Sequence, residues 1–369
     1  MSTTTLELSV NKEDKIILKI NTENKTEKFL FNNYRELKKM VFDENFENKY
    51  NIDKDYITRF KRNINDCFQT QNINLFGGPG TGKSVTATQT FETLKKNNLD
   101  IEYISEYAKD LTYQINSIED NDNSKNALEL LKNQTHVTQT QISRVDMIKW
   151  SNDVDISIQD SPFILGLAYV DKEDPHFDIE GFRDTTINRY LSYNNLNVYL
   201  KRPQTANYQE SGRSQSKEEA AELDNIISTI LKETKQTYIE LEAYSAPIYL
   251  EELGKTMSEL SNKEYMQIFS YNKDKNLKQL TYHQIIIRNT IERIEQEESL
   301  EEEYAKEFDC NINEAEKQLK FIYSKNKNIF ISKKEKIKRF NEILNQINNA
   351  KINKKKEENK KGISNIKPM

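Results

Sequence analysis

The sequence predicts an α/β fold: an open parallel sheet held between helical layers, preceded by a small α+β appendage and followed by a helical region. Three observations carry this. From Asn72 to Ala243 short apolar runs alternate with helix-like stretches, the order a parallel sheet requires. A glycine-rich turn joins the first of these runs to the first helix, and the sparse Gly and Pro gather there. Beyond Ala246 apolar and charged residues recur at helical spacing.

In order along the chain, Thr5–Val10, Lys15–Ile20 and Glu27–Phe31 read as short strands split by the polar turns "NKED" and "NTENKT". "NNYRELKKMVFDENF" and "DKDYITRFKRNINDCF" carry helical apolar spacing and complete an appendage over residues 1–70. The main domain, residues 71–245, offers strands at Ile73–Phe76, Ile101–Ser105, Val154–Gln159, Leu196–Lys201 and Tyr238–Leu241. Its helices are expected at Lys83–Asn97, Ser124–Trp150 (as one or two), Gly181–Tyr193 and Ser216–Thr234. Residues 246–350 read as charged helices. Residues 351–369, with seven lysines against two glutamates, read as a disordered, solvated tail.

Composition excludes several classes. Net charge is -5, so no global basicity argues for nucleic-acid binding. Cys67 and Cys310 lie far apart, and His136, His176 and His283 are scattered, so no zinc-type ligand spacing exists. The start, "MSTTTLELSV", lacks the charged and apolar regions of a secretion signal, and no apolar run approaches a membrane span. The expectation is a cytoplasmic protein with reduced thiols and no membrane partner.

Gly77-Gly78-Pro79-Gly80-Thr81-Gly82-Lys83-Ser84 matches the full phosphate-loop pattern G-x-x-x-x-G-K-[ST], with a strand entering and a helix leaving. Backbone N–H groups of such a loop point at phosphate oxygens, and the helix adds its positive dipole end. Lys83 is expected on the β- and γ-phosphates, Ser84 on Mg²⁺, and Thr81 and Val85 beside the nucleotide. This makes the predicted fold a three-layer P-loop NTPase with ATP and Mg²⁺ as cofactors.

Three further features bear on the reaction. The strand at Ile101 ends at Glu106, at the edge where an open parallel sheet binds its ligand. A carboxylate there can serve as general base for a substrate hydroxyl, or it can be a helix-start glutamate favoured by the dipole. "VDISIQDSPFIL" ends a strand in Asp160-Ser161-Pro162: an aspartate for the Mg²⁺ shell, without the second acidic residue many motors use to activate water. Nor is there an Asn-Lys-x-Asp guanine-reading motif. Lys201, Arg202 and Arg213 flank and occupy a polar loop suited to a lid over the phosphates, their alternative being solvated surface positions.

From Asn72 to about Ala243 the chain resembles the P-loop nucleoside- and nucleotide-kinase-like proteins, of AAA-type ATP-binding character, common in bacteriophages. More distantly it is similar to ribosylnicotinamide kinase domains. "GGPGTGKSVTA", "EYISEYAKDL", "QTHVTQTQISRVDMI", "DISIQDSPFIL", "NNLNVYLKR" and "SGRSQSKEEAAELD" carry the resemblance, in the family's order. It implies Lys83 and Ser84 on ATP and Mg²⁺, Glu106 on the acceptor side, Asp160 on metal or acceptor, Arg213 in the lid, and Gln141 and Arg144 on the helix crossing the acceptor pocket. Ser161-Pro162 stands where many deoxynucleoside kinases place an arginine. Tyr103, Tyr107 and Tyr113 lie where a base could stack, although aromatic residues more often build core.

The leading expectation is ATP- and Mg²⁺-dependent phosphoryl transfer to a nucleoside, nucleotide or similar small acceptor, acting in the host cytoplasm if the protein is phage-encoded. A polynucleotide kinase gripping a nucleic-acid end is a second reading. A regulatory ATP-binding or ATPase module, working through a nucleic-acid partner or through a protein partner or second copy bound to the helical region, is a third.

Overall fold

A computed structural model of the chain describes residues 4–116, 122–149, 151, 153–170, 177–202, 217–269, 275–326 and 328–364. The N-terminal unit is an antiparallel sheet of β1 (Thr5–Val10), β2 (Ile16–Asn21) and β3 (Thr26–Phe31) in that order. It is covered by α1 (Tyr34–Val41), α2 (Phe46–Lys49) and α3 (Lys54–Cys67). Asn33 and Asp53 cap α1 and α3 by accepting the backbone N–H of Glu36 and Tyr56.

The main sheet contains β4 (Gln71–Phe76), β5 (Ile101–Ile104), β6 (Ile156–Gln159), β7 (Asn194–Lys201) and β8 (Ile239–Glu242). All pairs are parallel, in the order β5-β6-β4-β7-β8. These are the five strands read from the sequence. The intervening helices are α4 (Lys83–Lys96), α5 (Tyr107–Ile115), α6 (Asp122–Lys132), α7 (Gln134–Lys149), α8 (Ile179–Tyr190) and α9 (Lys217–Glu233). A 3₁₀ segment, Phe163–Ala168, follows β6. The long helical run expected around Ser124 is two helices, broken at Asn133.

Strand alternation gives the sheet two different faces. Ile73, Leu75, Ile156, Ile158, Leu196, Val198, Ile239 and Leu241 form the apolar one. The opposite face carries buried amides: Asn74 Nδ2 donates to the side-chain oxygens of Asn195 (3.0 Å) and Asn197 (3.2 Å), and Ser157 Oγ donates to Asn72 (2.6 Å). These side-chain bonds meet much of the buried amides' need, though Asn74 Oδ1 has no partner among the described residues, so the paired asparagines of β4 and β7 are architecture.

The C-terminal helices are α10 (Ala246–Ser258), α11 (Asn262–Phe269), α12 (Lys275–Gln296), α13 (Leu300–Glu307), α14 (Ile312–Lys325) and α15 (Lys333–Ser364). Leu250 and Leu253 of α10, Ile286 and Ile287 of α12, and Phe340 and Ile343 of α15 share one core with the apolar sheet face. Residues 246–350, set apart in the sequence reading, therefore supply the second layer over that face. Glu252 of α10 ties this layer together, bonding Arg293 of α12 at 2.5 Å and Lys336 of α15 at 2.6 Å.

The basic stretch from Lys351, expected to be disordered, continues α15 as far as Ser364. Lysine and glutamate are good helix formers, and extending a packed helix avoids the cost of nucleating one. Tyr265 of α11 enters the N-terminal core, and Gln71 of β4 donates both to Tyr265 Oη (3.0 Å) and to the Met257 carbonyl (2.6 Å). Among the described residues no helix is long and apolar enough to cross a membrane.

Candidate nucleotide site and adjoining pocket

The glycine-rich loop leaves the carboxyl end of β4 and ends on α4, as its sequence requires. Gly77, Gly80 and Gly82 take positive φ angles of 143°, 82° and 92°, a region that side chains disfavour. At Gly78 the constraint is closeness instead. An added Cβ would stand 2.6 Å from Asp224 Oδ1 and 2.7 Å from the Ala220 carbonyl. Thr81, almost fully buried, staples the loop by donating to the Gly78 carbonyl at 2.9 Å. Its hydroxyl is thus turned to the loop itself. Gly82 offers no side-chain cap to α4, so the first N–H groups of the helix remain available to an anion.

Lys83 Nζ donates to the carbonyls of Gly77 (2.6 Å) and Gly78 (3.0 Å). Burial lowers its pKa, against the attraction of the Glu106 and Asp160 carboxylates. Pro79, Gly80, Gly82, Lys83, Ser84 and Val85 border a cavity of about 360 Å³. Its far side is made by Leu131, Val137, Thr138, Phe163, Leu165 and Tyr169, from α6, α7 and the 3₁₀ segment.

Asp160, with no exposed surface, ends β6 directly beside β4. Its Oδ2 accepts from Ser84 Oγ at 2.8 Å and Tyr103 Oη at 3.3 Å, and from Lys109 Nζ. Its buried Oδ1 has no partner. A hydroxyl and a carboxylate with an unclaimed oxygen beside a phosphate loop suit Mg²⁺, which takes few protein oxygens and completes its shell with water and phosphate. Ser84 and Asp160 would hold that ion. Among the described residues no cluster of three or more His, Cys, Asp or Glu offers another metal site.

Glu106 lines the cavity at the start of α5, without capping it. Tyr107 lines it too, its hydroxyl paired with His136 Nε2 at 3.2 Å. Gln141 lines the cavity as well, whereas Arg144 stands one step back. Gln141 accepts the Tyr107 N–H (2.9 Å) and donates to the Ser105 carbonyl (3.1 Å). Arg144 donates to the same carbonyl (3.2 Å), to Ser105 Oγ (3.0 Å) and to Asp110. Both brace the turn that presents Glu106, and Gln141 also borders the cavity, on the side where the sequence reading put both residues. Of the three tyrosines considered for stacking, only Tyr107 borders the cavity: Tyr103 bonds Asp160, and Tyr113 is 70% exposed.

Arg202 is engaged away from the cavity. Its guanidinium bonds Asp224 (2.9 Å from Nε, 2.8 Å from Nη2) and the Ala220 carbonyl (3.2 Å). Asp224 in turn accepts the Gly78 N–H at 2.5 Å, so Arg202 braces the loop through Asp224. Lys201 pairs with Glu240 at 2.9 Å. Arg213 lies outside the described residues.

Sequence reasoning missed Asp224, Thr138 and Lys109. Lys109 had a usable signal: it stands three residues after Glu106 on a helix, so the two share a face. Burial opposes its charge, but the carboxylates of Asp160 and Glu106 hold its pKa above the ordinary lysine value.

Comparison with known families bears on the same segment. Residues 72–246 match the AAA domain family. The match runs from β4 to the first residue of α10 and contains the loop, Glu106 and Asp160. No curated protein matches the chain by sequence. Residues 72–246 are thus similar to a P-loop domain of AAA type, a type whose general chemistry is nucleotide binding with hydrolysis or phosphoryl transfer.

Proposed function

We propose that the chain is an ATP- and Mg²⁺-dependent phosphotransferase acting on a small, uncharged, hydroxyl-bearing acceptor. The observation that carries this is the cavity of about 360 Å³ running from the phosphate loop past Glu106 to an apolar wall. Hydrolysis needs space only for a water beside the γ-phosphate. A cavity of this size, apolar at its far end, suits an acceptor body.

Charge supports the acceptor class. Among the described lining residues the only charged ones, Lys83, Glu106 and Lys109, all stand at the phosphate end. A hydroxyl approaching Glu106 can give up its proton there, whereas an acceptor phosphate would be repelled by the same carboxylate. A nucleoside fits these terms, as does the resemblance of the loop and strand-end motifs to nucleoside kinases. The polynucleotide-kinase reading is less favoured, because the described wall offers no cation for a following phosphate.

Another observation favours a partner-directed role alongside catalysis. Leu300, Phe308, Ile312 and Phe321 of the α13–α14 hairpin are each more than two-fifths exposed, apolar side chains that a partner could cover.

The test is transfer of label from γ-labelled ATP to ribo- and deoxynucleosides, their monophosphates, nicotinamide riboside and short oligonucleotide ends, with Lys83→Ala as the blank. Label on an uncharged nucleoside, absent in the blank, is the expected result. Label confined to monophosphates or oligonucleotides overturns the acceptor class.

A further inference from the structure

We propose that Lys109 is a second phosphoryl-facing cation of this site, one that competes with a divalent metal for Ser84 and Asp160. This rests on reading residues 77–84 as the nucleotide loop. The ammonium lies 2.6 Å from Ser84 Oγ, bonds Asp160 Oδ2, and stands 3.5 Å from Glu106 Oε2. Ser84 and Asp160 are the two side chains whose oxygens suit the metal. One tethered positive charge therefore occupies the place of a divalent ion.

The arrangement solves a problem of charge. Asp160 is wholly buried, and a buried carboxylate without a counter-charge is costly. Lys109 supplies that charge. Ser84 and Asp160 would offer a divalent metal the same oxygens, and its stronger charge would displace the ammonium.

The displaced side chain does not lose its surroundings. It is 39% exposed, lines the cavity between the loop and Glu106, and springs from the first turn of α5. From there it reaches the zone where the γ-phosphoryl group passes toward an acceptor. Arg202, the described lid candidate, is held by Asp224. Lys83 and Lys109 are thus the only cations among the described residues lining the cavity. A preorganised ammonium beside the moving phosphoryl group stabilises the charge of the transition state.

The experiment compares wild type, Lys109→Met and Lys109→Arg in two measurements, with thermal melting as the folding control. The first is Mn²⁺ binding without nucleotide, followed by the electron paramagnetic resonance of the free ion. It needs no acceptor, so it is independent of the phosphotransferase reading. Lys109→Met is expected to bind Mn²⁺ about tenfold or more tighter than wild type, because the competing ammonium is gone. Lys109→Arg, which keeps the charge, is expected to stay as weak as wild type, a difference a merely structural side chain would not produce. The second is turnover in whichever reaction the wild type performs, transfer or hydrolysis. Lys109→Met is expected to lose about a hundredfold in kcat, with MgATP affinity changed far less. Equal Mn²⁺ affinity in wild type and Lys109→Met overturns the assignment, as does an unchanged kcat.

Discussion

His283 makes the stability of this protein depend on pH in a way that can be worked out in advance. The ring sits on α12 with no exposed surface. Its Nε2 accepts the Asn197 backbone N–H at 3.2 Å, beyond the end of the β7–β8 ladder, and its Nδ1 is 2.9 Å from the Gln279 carbonyl. A neutral ring protonated on Nδ1 satisfies both partners. A second proton would set two donors against each other. Burial lowers the pKa from 6.5 to about 4. In the unfolded chain the residue takes its proton near its ordinary value, so below that pH the unfolded state binds more protons. Stability contributed by the neutral ring is therefore complete above about pH 6.5 and falls as the pH drops toward about 4. The shift corresponds to about 3 kcal/mol in full, of which about 2 kcal/mol is lost between roughly pH 7 and pH 5. Urea unfolding followed by circular dichroism across that range, on wild type and His283→Gln, isolates the contribution. The wild type is expected to lose about 2 kcal/mol more than the variant. Identical pH slopes in the two proteins would refute the reasoning.

Gly78→Ala drives a Cβ against Asp224 and the Ala220 carbonyl; a loss of about 1–3 kcal/mol in unfolding free energy is expected, together with weakened binding of a fluorescent ATP analogue. Gln141→Ala removes the brace on Ser105 and Tyr107, and steady-state kinetics are expected to show kcat down about tenfold with ATP affinity little changed. Glu252→Ala leaves Arg293 and Lys336 facing each other without their carboxylate; denaturant titration is expected to register a loss of about 3 kcal/mol.

The parts legible in the sequence were those written in local spacing. The loop announced itself because the glycines, Lys83 and Ser84 must be contiguous to wrap a phosphate, and Glu106 and Asp160 because each ends a short apolar run. The five strands could be read because alternation and turn residues are also local. What stayed hidden depends on contacts between distant segments. The amphipathic pattern of α12 shows that it has an apolar face, but not that this face lies on the sheet beside Leu196 and Val198. The pairing of the asparagines of β4 and β7 appears only where the ladder brings them side by side. Arg202 looked free because Asp224, its partner, lies 22 residues away on α9. Gln141 and Arg144 stood on the expected helix, but Gln141 reaches the cavity surface while Arg144 turns to Ser105 and Asp110, a distinction of a few ångströms that no spacing encodes.

The central claim is that the γ-phosphoryl group leaves ATP for an acceptor hydroxyl activated by Glu106. Partition of label from γ-labelled ATP between acceptor and inorganic phosphate, in wild type and Glu106→Gln, tests it most directly. The expected result is label on the acceptor in wild type, and a loss of roughly a hundred- to ten-thousand-fold in the variant with ATP binding retained. Label appearing only as inorganic phosphate, or transfer by the variant at the wild-type rate, would contradict it.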